Sequence, residues 1–194
     1  MRNKAYVLVF DGLADWEPAL FMCELADQGK LETVTVGFDE SPVRSMGGLR
    51  ILPDATLAEV SVDEAAVFVV PGGGRWYSGT SYELIGLLRA LHGAGVPVGG
   101  ICGATLELAR SGLLDGVAHT GNSLDEIRKH VPSYRGEARY VNRLAAGEGG
   151  IVTAGGDGYV EFAAELFRQM KLMSDDEIAT WVSFVKPGAA AAAG

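Results

Sequence analysis

The 194-residue sequence has few basic residues, only two cysteines and no long apolar run, and each shortage excludes a class of protein. Sixteen lysines and arginines against 25 aspartates and glutamates give a formal charge of −9, which disfavours nucleic acid and anionic membranes as partners. Two cysteines are too few for a disulfide framework and suit a reducing cytosol. The first apolar stretch is too short for a signal peptide or for a membrane span of ~20 residues. We therefore expect a soluble cytoplasmic protein.

The sequence motifs that bind common cofactors and zinc are also absent. The first predicted strand-to-helix turn reads DGLAD at residues 11–15, which is not the G-x-G-x-x-G pattern of dinucleotide-binding proteins. The run Gly72-Gly73-Gly74 lacks the Lys-Ser/Thr pair that completes a phosphate-binding loop. The spacing of Cys and His residues does not match a zinc site. The sequence therefore predicts neither a cofactor nor a metal.

Short apolar runs alternate with helical patterns along the chain. Continuous apolar strands are typical of a parallel sheet that is covered on both faces. We expect an α/β fold: a three-layer sandwich with a mostly parallel, doubly wound sheet and helices on both sides. One domain should span residues 1–186, followed by a low-complexity tail at 187–194. The predicted strands are 5–10, 33–38, 66–70, 96–101, 117–120 and 151–154, with a small β excursion at 44–53; the predicted helices are 17–28, 82–92, 104–111, 124–130, 159–170 and 174–185.

Glycine is abundant, with 27 residues, and many of them follow predicted strand ends. Ligands of open parallel sheets bind at the carboxyl ends of the strands. The segment VGGICGAT at residues 98–105 places Cys102 between a buried strand and a helix, in the form of a nucleophile elbow. Small residues at Gly100 and Ala104 would relieve the crowding of that turn. The alternative interpretation is that Cys102 is a small core residue in a tight turn.

The elbow predicts a reactive thiol. Unpaired N–H groups at the start of the following helix should lower the pKa of Cys102 and hold a developing oxyanion. The Gly103 amide is one expected donor, and Gly73 and Gly74 at the neighbouring strand end could supply a second. These three glycines are the predicted oxyanion and backbone-binding residues.

Three segments together resemble the ThiJ/PfpI superfamily: FDGLADWEPAL, VVPGGG and GICGATLELARSGLLDG. The resemblance covers roughly residues 4–172 and implies a flavodoxin-like fold, similar to class I glutamine amidotransferase domains. It also implies that Cys102 is the reactive cysteine, that Glu17 is a protonated partner donating a hydrogen bond to the sulfur, and that the protein forms a homodimer. A raised pKa is the physical expectation for a carboxyl beside a thiolate in a dry pocket.

The sequence departs from the protease-like branch of that superfamily, in which a His directly follows the nucleophile. Here that position is Gly103, so a general base must come from elsewhere. His119, at the end of predicted strand 117–120, is the candidate, and a structural His is the alternative. Peptidase activity is in question for this reason.

Two functions from different classes follow from these residues. One is a cofactor-independent enzyme in which Cys102 attacks a small carbonyl or amide compound, as a hydrolase, an amidase or a glyoxalase. The other is an oxidative-stress protein with a chaperone-like role, in which Cys102 is oxidised as a sensor. Among the remaining residues, Cys23 is expected in the core, and Asn122 and Ser123 as caps of the helix that follows. Packing is expected for Trp16, Trp76 and Tyr77, and lining the mouth of a pocket is the alternative.

Overall fold

The computed structural model describes residues 2–79 and 81–186. The predicted tail at 187–194 lies outside these residues. The strands are β1 (Lys4–Leu8), β2 (Glu32–Gly37), β3 (Val43–Arg44), β4 (Arg50–Ile51), β5 (Ala55–Thr56), β6 (Ala65–Val70), β7 (Val98–Ile101), β8 (Ala145–Glu148) and β9 (Ile151–Ala154). The helices are α1 (Trp16–Gln28), α2 (Tyr82–Gly93), α3 (Thr105–Arg110), α4 (Leu124–His130), α5 (Tyr159–Met170) and α6 (Asp175–Val185).

Seven strands form one sheet in the order β5-β2-β1-β6-β7-β9-β8. All neighbouring pairs are parallel except β8 and β9, which run antiparallel. Strands β3 and β4 form a separate antiparallel hairpin, which is the predicted excursion at 44–53. From β1 the strands are first added toward one edge of the sheet, and from β6 onward they are added toward the other edge. The sheet is therefore doubly wound, as predicted.

Alternating side chains of the central strands enter two different cores, because successive residues of a strand face opposite sides. On one side, Phe68 and Val70 pack with apolar residues of α2, α3 and α4. On the other side, Val67 and Val69 pack with residues of α1, α5 and α6. The three-layer sandwich is therefore confirmed. None of the helices in the described ranges combines the length and the apolar character needed to cross a membrane.

Segment 117–120 is not a ladder strand, so this prediction is wrong. It contributes a single bridge between His119 and Tyr140. The outer edge of β9 is instead occupied by β8, whose sequence AAGE consists of residues with low strand propensity. β8 is joined to β9 by the two-residue turn Gly149-Gly150, in which both residues have positive φ. A Gly-Gly pair is a sequence signal for a hairpin, and this signal was overlooked because the residues before it lack strand propensity.

We expect Gly99→Ala to destabilise the fold. A β-carbon at this buried position of β7 would lie 2.8 Å from Leu166 Cδ2 and 2.9 Å from Phe162 Cζ. Overpacking of this kind costs about 1–3 kcal/mol, measurable by urea denaturation. The matched control is Gly86→Ala on the exposed face of α2, where nothing lies within 4 Å. It should stabilise the protein by about 0.5–1 kcal/mol; equal effects of the two substitutions would contradict the packing described for α5.

Candidate active site

Cys102 lies in a sharp turn at the carboxyl end of β7. Its φ of 57° is left-handed, which is unusual for a residue with a side chain and costs roughly 1–2 kcal/mol. The chain continues in a 3-10 turn, Cys102–Ala104, and enters α3 only at Thr105. The Thr105 hydroxyl donates to the Cys102 carbonyl at 2.8 Å, which ties the turn to the helix. This backbone has the conformation expected of a nucleophile elbow.

Glycines allow the surrounding backbone to approach this turn. A β-carbon at Gly100 would lie 2.6 Å from Leu108 Cδ1, so α3 itself crowds this position more than Ala104 does. A β-carbon at Gly72 would lie 2.6 Å from the Cys102 Cβ and 2.7 Å from Glu17 Oε2. The ends of β6 and β7 therefore meet around Cys102 without intervening side chains.

Glu17 is completely buried in the first turn of α1. Its Oε2 accepts the Gly72 N–H at 2.5 Å, while Oε1 has no hydrogen-bond partner among the described residues other than the neighbouring thiol. A β-carbon at Gly156, just after β9, would lie 3.2 Å from Cys102 Sγ and 3.3 Å from Glu17 Oε1. The carboxyl and the thiol therefore share one small space at the edge of the sheet.

The protonation of this pair follows from its burial. Burial raises the pKa of Glu17 from 4.5 to about 7, against the opposing effect of the Gly72 N–H. Burial, and then the nearby Glu17 charge, raise the pKa of the Cys102 thiol, while the N–H groups of Asn122 and Gly103 lower it. Burial and the Glu17 charge therefore oppose the lowering of the thiol pKa that is expected from a helix N-terminus. The chain after Cys102 is a 3-10 turn followed by a six-residue helix.

The three predicted oxyanion glycines differ in the atoms that surround them. The Gly103 N–H bonds to the sulfur, and its Cα faces Trp76, Tyr77 and the Gly73 carbonyl. Gly74 faces open space, with nothing within 4 Å of its β-position. Their role in holding an oxyanion stays a prediction.

His119 is fully buried behind the site. One ring nitrogen lies 2.8 Å from the Val117 carbonyl and the other 2.5 Å from the Tyr134 hydroxyl. Burial lowers the pKa of His119. Both nitrogens are thus engaged away from Cys102, and the proposed base role of His119 has no support in these contacts.

Asn122, and not the predicted His119, contacts the Cys102 thiol. Its Nδ2 lies 3.5 Å from Cys102 Sγ and 3.2 Å from the Tyr77 hydroxyl, and its Oδ1 accepts the Gly156 N–H at 3.1 Å. The predicted capping role belongs to Ser123 alone, whose Oγ accepts the Glu126 N–H at 3.0 Å. A helix needs one N-cap residue, so the polar residue preceding Ser123 was the signal that sequence reasoning overlooked.

Cys23, Tyr77 and Trp16 differ from expectation. Cys23 is exposed on α1, not in the core, because the buried face of that helix is formed by Phe21 and Leu25 and Cys23 points away from it. Tyr77 does more than pack: it is 39% exposed, and its hydroxyl donates to Glu126 Oε1 at 2.9 Å. Trp16 is 45% exposed, and its Nε1 donates to the Gly156 carbonyl at 3.3 Å, whereas Trp76 is buried as predicted.

A cysteine at an elbow beside a buried acid, at the carboxyl edge of a doubly wound sheet, defines a class of α/β proteins with a cysteine nucleophile. The model of one such family, DJ-1/PfpI, matches residues 3–169, and the chain belongs to this family. Among the described residues, no group of three His, Cys, Asp or Glu side chains is arranged to hold a metal ion.

Several known proteins are similar to this chain over most of its length. The uncharacterized protease YoaZ of Bacillus subtilis is 32% identical, covering 95% of this chain and 91% of the relative. A DJ-1 superfamily protein from Agrobacterium tumefaciens is 36% identical with a TM-score of 0.87, over 94% of this chain and 97% of that chain. A thiJ/pfpI family protein from Bacillus anthracis is 31% identical with a TM-score of 0.89, over 95% and 91%.

We expect Glu17→Gln to change how stability depends on pH. The folded protein binds a proton at Glu17 up to about pH 7, whereas the unfolded chain releases it near 4.5. The free energy of unfolding of the wild type should therefore fall, relative to Glu17→Gln, as pH rises between these values, by about 3 kcal/mol in total. Urea denaturation at several pH values measures this difference.

The matched control for that experiment is Glu83→Gln, which removes an exposed acid from the first turn of α2. Its difference from the wild type should stay nearly constant over the same pH window. A constant difference for Glu17→Gln as well would show that the Glu17 carboxyl titrates in the folded protein as it does in the unfolded chain.

Proposed function

We propose that this protein is a cysteine-nucleophile enzyme that acts on small carbonyl or amide compounds. The observation that carries the proposal is the pairing of the half-buried Cys102 with the fully buried Glu17, in which the pKa of the carboxyl is raised to about 7. A proton carrier is most effective when its pKa lies near the operating pH. The strained elbow holds the half-buried sulfur beside Glu17, and Glu17 can receive and return the proton.

The first step forms one bond and moves one proton. Sγ attacks the carbonyl carbon, the C–S bond forms, and the π electron pair moves onto the carbonyl oxygen. The thiol proton passes to the Glu17 carboxylate and from there to that oxygen, which gives a neutral hemithioacetal from an aldehyde. The Gly103 and Gly74 amides are the candidate donors to the oxygen while it carries charge.

With an amide, Glu17 keeps the thiol proton while the adduct oxygen stays negatively charged. The electron pair on that oxygen re-forms the C=O bond, the C–N bond breaks, the nitrogen leaves with the proton from Glu17, and a thioester on Cys102 remains. Water then attacks the thioester carbon, and the sulfur leaves and recovers a proton. Some relatives are named as proteases, but Gly103 follows Cys102 here and His119 is held by Val117 and Tyr134. These features favour a small substrate over a peptide.

A second function, redox sensing, is favoured by the partial exposure of Cys102. In this case the thiolate attacks a peroxide oxygen, an S–O bond forms, the O–O bond breaks, and the leaving hydroxide takes a proton to become water. Peroxide treatment followed by intact-mass measurement tests it. Selective formation of sulfenic acid at Cys102, without turnover of any carbonyl or amide, would favour the sensor over the enzyme.

A cytoplasmic homodimer belongs to the same proposal. The charge of −9 and the two free cysteines support a reducing, aqueous compartment. Dimer formation is an expectation from family resemblance, which sedimentation at several protein concentrations checks.

We expect Cys102→Ser to abolish turnover of methylglyoxal or of glutamine-type amides, on the order of 10⁴-fold or more. Glu17→Gln should lower kcat by roughly 10²–10⁴-fold, since the proton carrier is lost while the buried shape is kept. The control is Cys23→Ser, which removes the exposed thiol of α1 and should retain wild-type rates. Turnover that survives in Cys102→Ser, or that disappears in Cys23→Ser, would refute the assignment of the nucleophile.

A further inference from the structure

Asn122 and its neighbours form a chain of hydrogen bonds that ends on the Cys102 sulfur. The chain runs from Glu126 Oε1 to the Tyr77 hydroxyl at 2.9 Å, from there to Asn122 Nδ2 at 3.2 Å, and on to Cys102 Sγ at 3.5 Å. Its members come from α4, from the turn Gly74–Tyr77 and from the loop before α4. The mechanism described above, on which this inference rests, does not use them.

The direction of each bond in this chain is determined by chemistry. The Gly156 N–H can only donate, so the Asn122 side chain must present its oxygen there and its nitrogen to Tyr77 and the sulfur. A glutamate carboxylate only accepts, so the single hydroxyl hydrogen of Tyr77 goes to Glu126. The Tyr77 oxygen then accepts one Asn122 hydrogen, and the other Asn122 hydrogen is left for the sulfur.

We propose that Asn122 is a catalytic residue that donates an N–H hydrogen bond to the Cys102 thiolate, and that Tyr77 and Glu126 are positioning residues that orient it. An N–H donor stabilises a thiolate more than a thiol, because the bond is strengthened by the negative charge. Asn122 thereby adds a side-chain donor to the stabilisation that the Gly103 N–H supplies from the backbone. Glu17 remains the group that carries the proton.

The electrostatics of the site are consistent with this assignment. Burial and the Glu17 charge raise the pKa of Cys102, and the Asn122 contact is the first effect that opposes them. Burial, and then the bond to Glu126, raise the pKa of Tyr77, so the hydroxyl keeps the proton that it donates. Among the described residues, Glu17 on α1 and Tyr77 are the titratable groups that act on the sulfur.

The test is the rate of alkylation of Cys102 by iodoacetamide as a function of pH, followed by intact mass. All variants carry Cys23→Ser, so that the measured alkylation comes from Cys102 alone. Asn122→Ala should move the midpoint of the profile up by about one pH unit, and slow alkylation about tenfold below it. Asn122→Asp keeps the shape but adds negative charge, and should move the midpoint further in the same direction.

The positioning residues are tested in the same assay. Tyr77→Phe and Glu126→Gln should each raise the midpoint by a smaller amount, because Asn122 remains but loses its orientation. The matched control is Asp125→Asn, a neighbour on α4 that loses the same charge but bonds to Arg128. It should leave the midpoint unchanged.

Each outcome decides part of the inference. An unchanged midpoint in Asn122→Ala overturns the donor role, and if that variant does not fold, an unchanged midpoint in the isosteric Asn122→Asp does so. A shift in Asn122→Ala without one in Tyr77→Phe and Glu126→Gln overturns the positioning chain. Alkylation requires no turnover, so a shifted midpoint together with inactivity on every carbonyl and amide would refute the proposed enzyme and leave the role of Asn122 standing.

Discussion

The contact between the Glu17 carboxyl and the Cys102 sulfur is the interaction around which the carboxyl edge of the sheet is arranged. Two glycines make it possible, Gly72 after β6 and Gly156 after β9, since a β-carbon on either would occupy the space that the pair shares. The same two residues also donate hydrogen bonds to polar side chains of the site: the Gly72 N–H to the Glu17 carboxyl, and the Gly156 N–H to Asn122 Oδ1. The buried carboxyl and the half-buried thiol therefore lie close together and are supported by backbone groups.

Such a site opposes folding, and the sheet compensates. The left-handed backbone at Cys102 and the buried carboxyl of Glu17 each cost roughly 1–3 kcal/mol. Both are attached to elements that bury apolar side chains: β7 lies between β6 and β9 in the middle of the sheet, and α1 packs through Phe21 and Leu25. A rigid frame of this kind keeps a strained nucleophile in one geometry, which is what a reactive site requires.

Much of the fold could be predicted because its signals are local. Strand 151–154 and helix 159–170 occur within the predicted bounds, and Ser174 caps α6 through a capping box with Glu177. Segment 117–120 failed for the opposite reason. Its pattern suits a strand, but the position beside β9 is filled by β8, which reaches it through the tight turn Gly149-Gly150. Strand propensity did not indicate β8, and the hairpin turn that forms it depends on the two glycines.

The sequence by itself determined the α/β class and the elbow at Cys102, because periodicity and turn chemistry act over a few residues, and the acid at Glu17 followed from the family resemblance of the sequence. Tertiary structure alone decided that Glu17 is buried enough to hold its proton, that His119 faces Tyr134, and that Asn122 faces the sulfur. Burial and the direction of a hydrogen bond depend on groups brought together from separate parts of the chain. The identity of a residue shows what chemistry it can perform, and its neighbours in space decide which of these it performs.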